Sequence, residues 1–134
     1  MLTRREIVKR TLHFRKPPRL AVQMGSLGVD DTAWLPVKAA AGFRPAAPGA
    51  DEWGCVWDHT GLRNMGQVKG HPLEDIAKLD AFVPPDYGDP TRYEGVDIWF
   101  EERQAGDRYV LAGIFMVLFE RMHSLHGFEN TLID

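Results

Sequence analysis

Ile7, Val8 and Leu12 fall on one side of a helical repeat that follows Leu2-Thr3-Arg4-Arg5-Glu6. The pattern predicts a helix in which Thr3 caps, Glu6 completes a capping box and Leu2 staples against Ile7. Pro17-Pro18 stops it, because proline cannot continue a helix and disfavours helical backbone in the residue before. Arg19 to Met24 reads as a short strand ended by Gly25 and Gly28. Asp31 to Lys38 reads as one or two helical turns, and Ala39 to Ala50, rich in alanine, proline and glycine, as an irregular connection.

Two short runs, Trp53 to Asp58 and Met65 to Lys69, flank the turn-like His59-Thr60-Gly61-Leu62-Arg63-Asn64 and predict an antiparallel hairpin. Alternation would put Trp53, Cys55 and Trp57 on one face as an apolar packing surface. His71-Pro72-Leu73-Glu74-Asp75 reads as the start of a helix carried by Leu73, Ile76, Ala77 and Leu79. After Pro84-Pro85, Asp89-Pro90 opens another, with Tyr93, Val96 and Phe100 on its stripe and an end near Gly106. Arg108 to Phe115 lacks alternation and reads as a strand buried on both faces. Met116 to His126 returns to helical spacing with Gly127 as its stop, and residues 128–134 begin a further amphipathic segment. A strand buried on both faces needs parallel neighbours and covering helices. Only two convincing strands of that kind are present, so the predicted α/β sheet is incomplete.

Length and composition leave this picture in place. The 134 residues, 44% hydrophobic and 26% charged, suit one globular domain. A net charge of −3 gives no bulk attraction to nucleic acid or to anionic membrane. The basic residues Arg4, Arg5, Lys9, Arg10, Arg15, Lys16 and Arg19 read as a solvated face. The single cysteine can form neither an internal disulfide nor a cysteine-rich zinc site within the chain. Charges run through the first twenty positions, so no signal peptide is expected. The longest apolar run, Tyr109 to Phe119, is too short for a membrane span. The expected location is cytoplasmic.

The opening string REIVKRTLHFRKPPRLAV resembles the start of the uroporphyrinogen decarboxylase superfamily, in its corrinoid methyltransferase-like branch. The likeness extends to DEWGCVW, to NMGQVKGHPLEDIAKLDAFVPPD and to FERMHSLHGFENTLID. It implies a TIM barrel, a fold of about 250 residues. This chain would match only the N-terminal portion: leading helix, two strand–helix units, and an inserted β-hairpin at about 51–70. Residues 1–134 are accordingly read as a single N-terminal segment. The resemblance implies methyl transfer with corrinoid and zinc in a full-length relative, the zinc ligands lying beyond residue 134, and no cofactor in this segment. A partial barrel also implies self-association or a second chain that completes it. The decarboxylases' Arg-Gln-Ala-Gly-Arg loop after the first strand is replaced here by Gly25-Ser26-Leu27-Gly28-Val29-Asp30. The similar Arg103-Gln104-Ala105-Gly106 reads as coincidence. Gly113-Ile114-Phe115-Met116 lacks the acid expected after the second strand, which disfavours tetrapyrrole decarboxylation.

Active sites of such barrels gather at the C-terminal strand ends, so Met24, Gly25, Phe115 and Met116, with Trp53 and Trp57, are the candidate pocket-lining residues. No catalytic residue is assigned. Glu120, His123 and His126 have helical spacing, but the first and last do not converge, and no metal site is assigned. Cys55 with His59 or His71 as base would make a nucleophile, although no third orienting group is evident. The reading preferred over it is a small apolar residue in a hairpin. Asp51 and Glu52, adjacent along a strand, would face opposite ways, and Asp51 reads as a cap or turn residue. The alternative function is a stand-alone binding or assembly module that oligomerises or completes its sheet with a partner chain.

Overall fold

The computed structural model describes residues 2–59, 61, 66–103 and 105–134. In chain order its elements are α1 (Arg4–Leu12), β1 (Gln23–Met24), β2 (Val29–Asp30), β3 (Thr32–Trp34), β4 (Val56–Asp58), β5 (Gln67–Gly70), α2 (Val96–Glu102), β6 (Tyr109–Leu111), α3 (Phe119–His126) and α4 (Phe128–Ile133). Short 3₁₀ segments occupy Gly25–Leu27, Ile76–Ala81 and Pro90–Tyr93. The chain divides into two compact units, Met1–Lys38 with Tyr93–Gly113, and Ala39–Arg92 with Ile114–Asp134. Among the described residues no helix is long and apolar enough to cross a membrane.

In the first unit α1 begins at its predicted cap: the Thr3 hydroxyl accepts from the Glu6 amide at 3.1 Å. The Glu6 carboxylate is directed to Arg10, one turn on. Ile7 and Val8 are buried while Leu12 is exposed. The helix stops as expected before Pro17-Pro18, where Phe14 and Lys16 take positive φ. The loop at Asp107 closes onto the helix start: its carbonyl accepts from the Arg5 amide and its carboxylate from the Arg4 amide.

The strand pairing departs from expectation. Only Gln23–Met24 of the predicted strand is extended, and it pairs antiparallel with Val29–Asp30 across the 25–28 turn. The parallel partner of β6 is β3, with Thr32 opposite Tyr109 and Trp34 opposite Leu111. Thus Arg19–Met24 and Arg108–Phe115 are not neighbouring parallel strands, and Thr32–Trp34 is not helical. The cause is local and electrostatic. Pro36 disfavours helix at Leu35, while Thr and Trp suit a pleated surface. Buried Asp31 takes both guanidinium nitrogens of Arg19 at 2.6 Å and the Val22 amide at 2.8 Å, pinning residues 19–22 beside β3 as an irregular strap. The Arg19 fork holds the Asp31 carboxyl below its usual range, with the Val22 amide helping and burial opposing.

The 108–115 stretch is also less covered than predicted. Val110 is 38% exposed and Phe115 64%. The parallel sheet has two strands among the described residues, and α1 is the helix that packs against it.

In the second unit β4 and β5 form the predicted antiparallel pair, with Trp57 opposite Val68 and a register shift between Val56 and Trp57. Of the predicted turn, Thr60 and residues 62–64 lie outside the described residues, as does Met65 of the second run. The helix expected from Pro72 is reduced to the 3₁₀ segment Ile76–Ala81, capped by Asp75. The last predicted helix starts three residues late. Met116 and Leu118 adopt positive φ ahead of α3, a strained backbone for bulky side chains. Gly127, at φ 94°, breaks the chain between α3 and α4.

Candidate functional site

The acidic start of DEWGCVW organises the second unit. Asp51 Oδ1 accepts from the amides of Trp53 and Cys55, and Oδ2 accepts from Trp57 Nε1 at 2.9 Å. This is an Asx-type turn, completed by Gly54 at φ 79°. It takes Trp53 and Cys55 out of the strand, so the three-residue face expected for Trp53, Cys55 and Trp57 does not form. Trp53 packs near Phe82 and Tyr87, donates to the Tyr87 hydroxyl, and carries Arg121 over its ring at 4.4 Å.

Glu52 points elsewhere. Its carboxylate forms a two-point pair with Arg92 at 2.7 and 2.8 Å and accepts from the Ala40 amide. Burial works against its ionisation, but the Arg92 fork and the Ala40 amide outweigh this and hold the carboxyl below its usual value. Arg92 is 2% exposed and also lies over the Tyr87 ring. Two adjacent acids therefore face different arginines: Glu52 bonds Arg92 at two points, while Asp51 lies 3.8 Å from Arg121. Asp51 is the turn residue anticipated, and neither acid is free for acid–base work.

Cys55 is fully buried and donates to the Ser124 carbonyl at 3.3 Å. Burial pushes its thiol up to about 11, with Asp51 adding to the effect. This burial accords with the small apolar residue rather than with a nucleophile. His71 does come near Cys55, but its Nδ1 donates to the same Ser124 carbonyl at 2.8 Å and the two side chains share an acceptor. At pH 8 roughly one thiol in a thousand is ionised in the fold. Native protein is expected to resist Ellman's reagent until denaturant is added; prompt stoichiometric reaction under native conditions would contradict this burial.

Above this node lies a cleft of about 380 Å³, lined by Trp57, Gln67, Val68, His71, Met116, His123 and Phe128 among others. Of the candidate pocket residues, Trp57 and Met116 meet here. Trp53 does not line it, and Phe115 is exposed, with its carbonyl held by Arg121. Met24 and Gly25 belong to the first unit, at the exposed end of β1. His123 and Phe128 were not legible as pocket residues. They arrive through the α3–α4 break, where Phe119, His123 and Phe128 stack with centroids 5.4–6.2 Å apart. Among the described residues the lining has no Asp, Glu, Lys or Arg, and it suits an apolar or weakly polar ligand.

The triplet Glu120, His123 and His126 does not assemble. His126 Nδ1 faces the Leu73 carbonyl and Nε2 the Asp134 carboxylate, while His123 sits in the aromatic stack. Among the described residues no cluster of three His, Cys, Asp or Glu could hold a metal ion. The Leu73 carbonyl and then Asp134 raise the His126 pKa above 6.5. A raised folded-state pKa contributes stability that is complete below about pH 6.5 and lost as pH rises through the folded value. The stability difference between the protein and His126→Gln should therefore shrink as pH climbs above 6.5. A difference that is flat or grows with pH in denaturant titrations contradicts the two-donor arrangement.

No known protein family, curated protein or solved structure matches the chain.

Proposed function

We infer that this cytoplasmic chain supplies the N-terminal part of a uroporphyrinogen decarboxylase-like barrel of the methyltransferase-like branch, and is not catalytic by itself. The observation that carries the reading is the two-stranded parallel sheet. Its outer edges are unpaired among the described residues, and Trp34 and Val110 on it are exposed. Exposed edges and apolar faces of this kind call for further strands and helices. The quoted likeness says where these would come from, a second chain or the remainder of a barrel.

Zinc and corrinoid chemistry would belong to the completed protein. A zinc-bound thiolate must be deprotonated, and Cys55, buried with a thiol at about 11, does not fit such a ligand set. The residues here would position and cover; the methyl-transfer centre would lie outside them. Purified chain given methylcobalamin, a thiol and zinc is expected to show no methylated thiol. Zinc-dependent turnover overturns the reading.

The second reading, a binding module, is favoured by the aromatic-lined cleft around Trp57, His71 and Met116. Light scattering separates the two. A mass above the 15.2 kDa of one chain supports the incomplete sheet. A strict monomer with one cooperative transition argues for a self-sufficient fold and against a missing half.

A further inference from the structure

The first unit holds a different kind of cleft, of about 430 Å³, lined by Arg5, Lys9, Phe100, Ala105, Arg108, Tyr109 and Val110. Among the described residues three cations line it and no carboxylate does. Arg5 and Lys9 stand one turn apart on α1 and so share a face, while Arg108 approaches from the residue before β6. None of the three makes an ion pair among the described residues, although the neighbouring Arg4 is matched by Asp107 and Arg10 by Glu6. Asp30, the acid nearest in a second cleft that Arg108 also borders, is committed to the Thr32 amide and hydroxyl.

Arg108 supplies an independent observation. Its Nε is buried and has no hydrogen-bond partner among the described residues. A buried donor on a permanent cation is costly to leave unmatched. A guanidinium selects planar or tetrahedral oxyanions through paired donors. In a chain of net charge −3, three convergent cations without an acid are a local reversal that focuses anions. Phe100 and Tyr109 add aromatic surface to the same walls.

We propose that this cleft binds a small phosphate monoester with an aromatic or apolar body, the phosphate meeting Arg5, Lys9 and Arg108 and the body lying against Phe100 and Tyr109. The site is independent of the barrel reading, since it belongs wholly to the first unit.

The probes are phenyl phosphate, inorganic phosphate and benzoate, followed at low salt by calorimetry and by the arginine Nε–H resonances. Phenyl phosphate is expected to bind saturably and shift the Arg108 Nε–H signal, more tightly than either other probe, with affinity falling as salt is raised. Arg5 and Lys9 are exposed, so the double variant Arg5→Gln, Lys9→Gln should keep its thermal midpoint and lose about tenfold or more in affinity. Absence of saturable binding at tens of millimolar, or undiminished binding in the folded double variant, overturns the site. Equal affinity for benzoate overturns the preference for phosphate. Equal affinity for inorganic phosphate overturns the role of the aromatic walls.

Discussion

Arg92→Met is expected to destabilise the second unit by about 3 kcal/mol, the low end for removing one partner of a buried ion pair. The magnitude follows from what the arginine does. It is almost wholly buried and makes two short hydrogen bonds to Glu52. It donates a third through Nε to the Asp86 carbonyl and lies 4.8 Å from the Tyr87 ring centroid. Methionine fills part of the volume but leaves the Glu52 carboxylate with the Ala40 amide as its remaining hydrogen-bond donor among the described residues. Arg92→Lys keeps the charge without the planar fork and should recover less than half of the loss. Urea titrations followed by tryptophan fluorescence measure both. A loss under about 1 kcal/mol would mean that the pair behaves like an exposed one, and the account of Glu52 as a structural anchor would fail.

Asp51→Ala should cost a similar amount, about 3 kcal/mol, by a different route. One side chain satisfies two backbone amides and the Trp57 indole, and alanine leaves all three donors without that acceptor. Asp51→Asn is the informative comparison. Its carbonyl oxygen still serves the Trp53 and Cys55 amides, while its NH₂ group meets the Trp57 N–H donor to donor. The asparagine variant should therefore lose less stability than the alanine one, yet release the Trp57 indole proton to faster hydrogen exchange. If Asp51→Asn leaves indole exchange unchanged, or if Asp51→Ala is neutral in denaturant titrations, the turn does not depend on this carboxylate. Cys55 offers a linked readout, because the same turn buries it beneath the Ser124 carbonyl.

Features encoded within a few residues were legible in the chain. Thr3 and Glu6 mark the start of α1 because a cap needs only a hydroxyl and an amide three positions on, and Pro17-Pro18 marks its end by removing a donor and a conformation. The β4–β5 pair was legible from two short runs around a turn. Asp51 was legible as a turn residue because its acceptors reach amides two and four positions along the chain. That the parallel strand would be 32–34 was not legible. Strand propensity in 19–24 and in 32–34 is comparable, and the choice rests on the Arg19–Asp31 pair, whose members are twelve residues apart.

The cleft in the second unit lies further from local reach. His71 and His123 meet Trp57 only because the Ser124 carbonyl gathers the Cys55 thiol and the His71 imidazole at one point. Glu52 looked like a candidate acid until a partner forty residues away neutralised it. Composition and periodicity carry information about single elements and their ends. Which carboxylate meets which guanidinium, and which apolar strand stays exposed, is decided by long-range pairing. The energy of that pairing depends on burial and three-dimensional distance, quantities that have no value until the chain is folded.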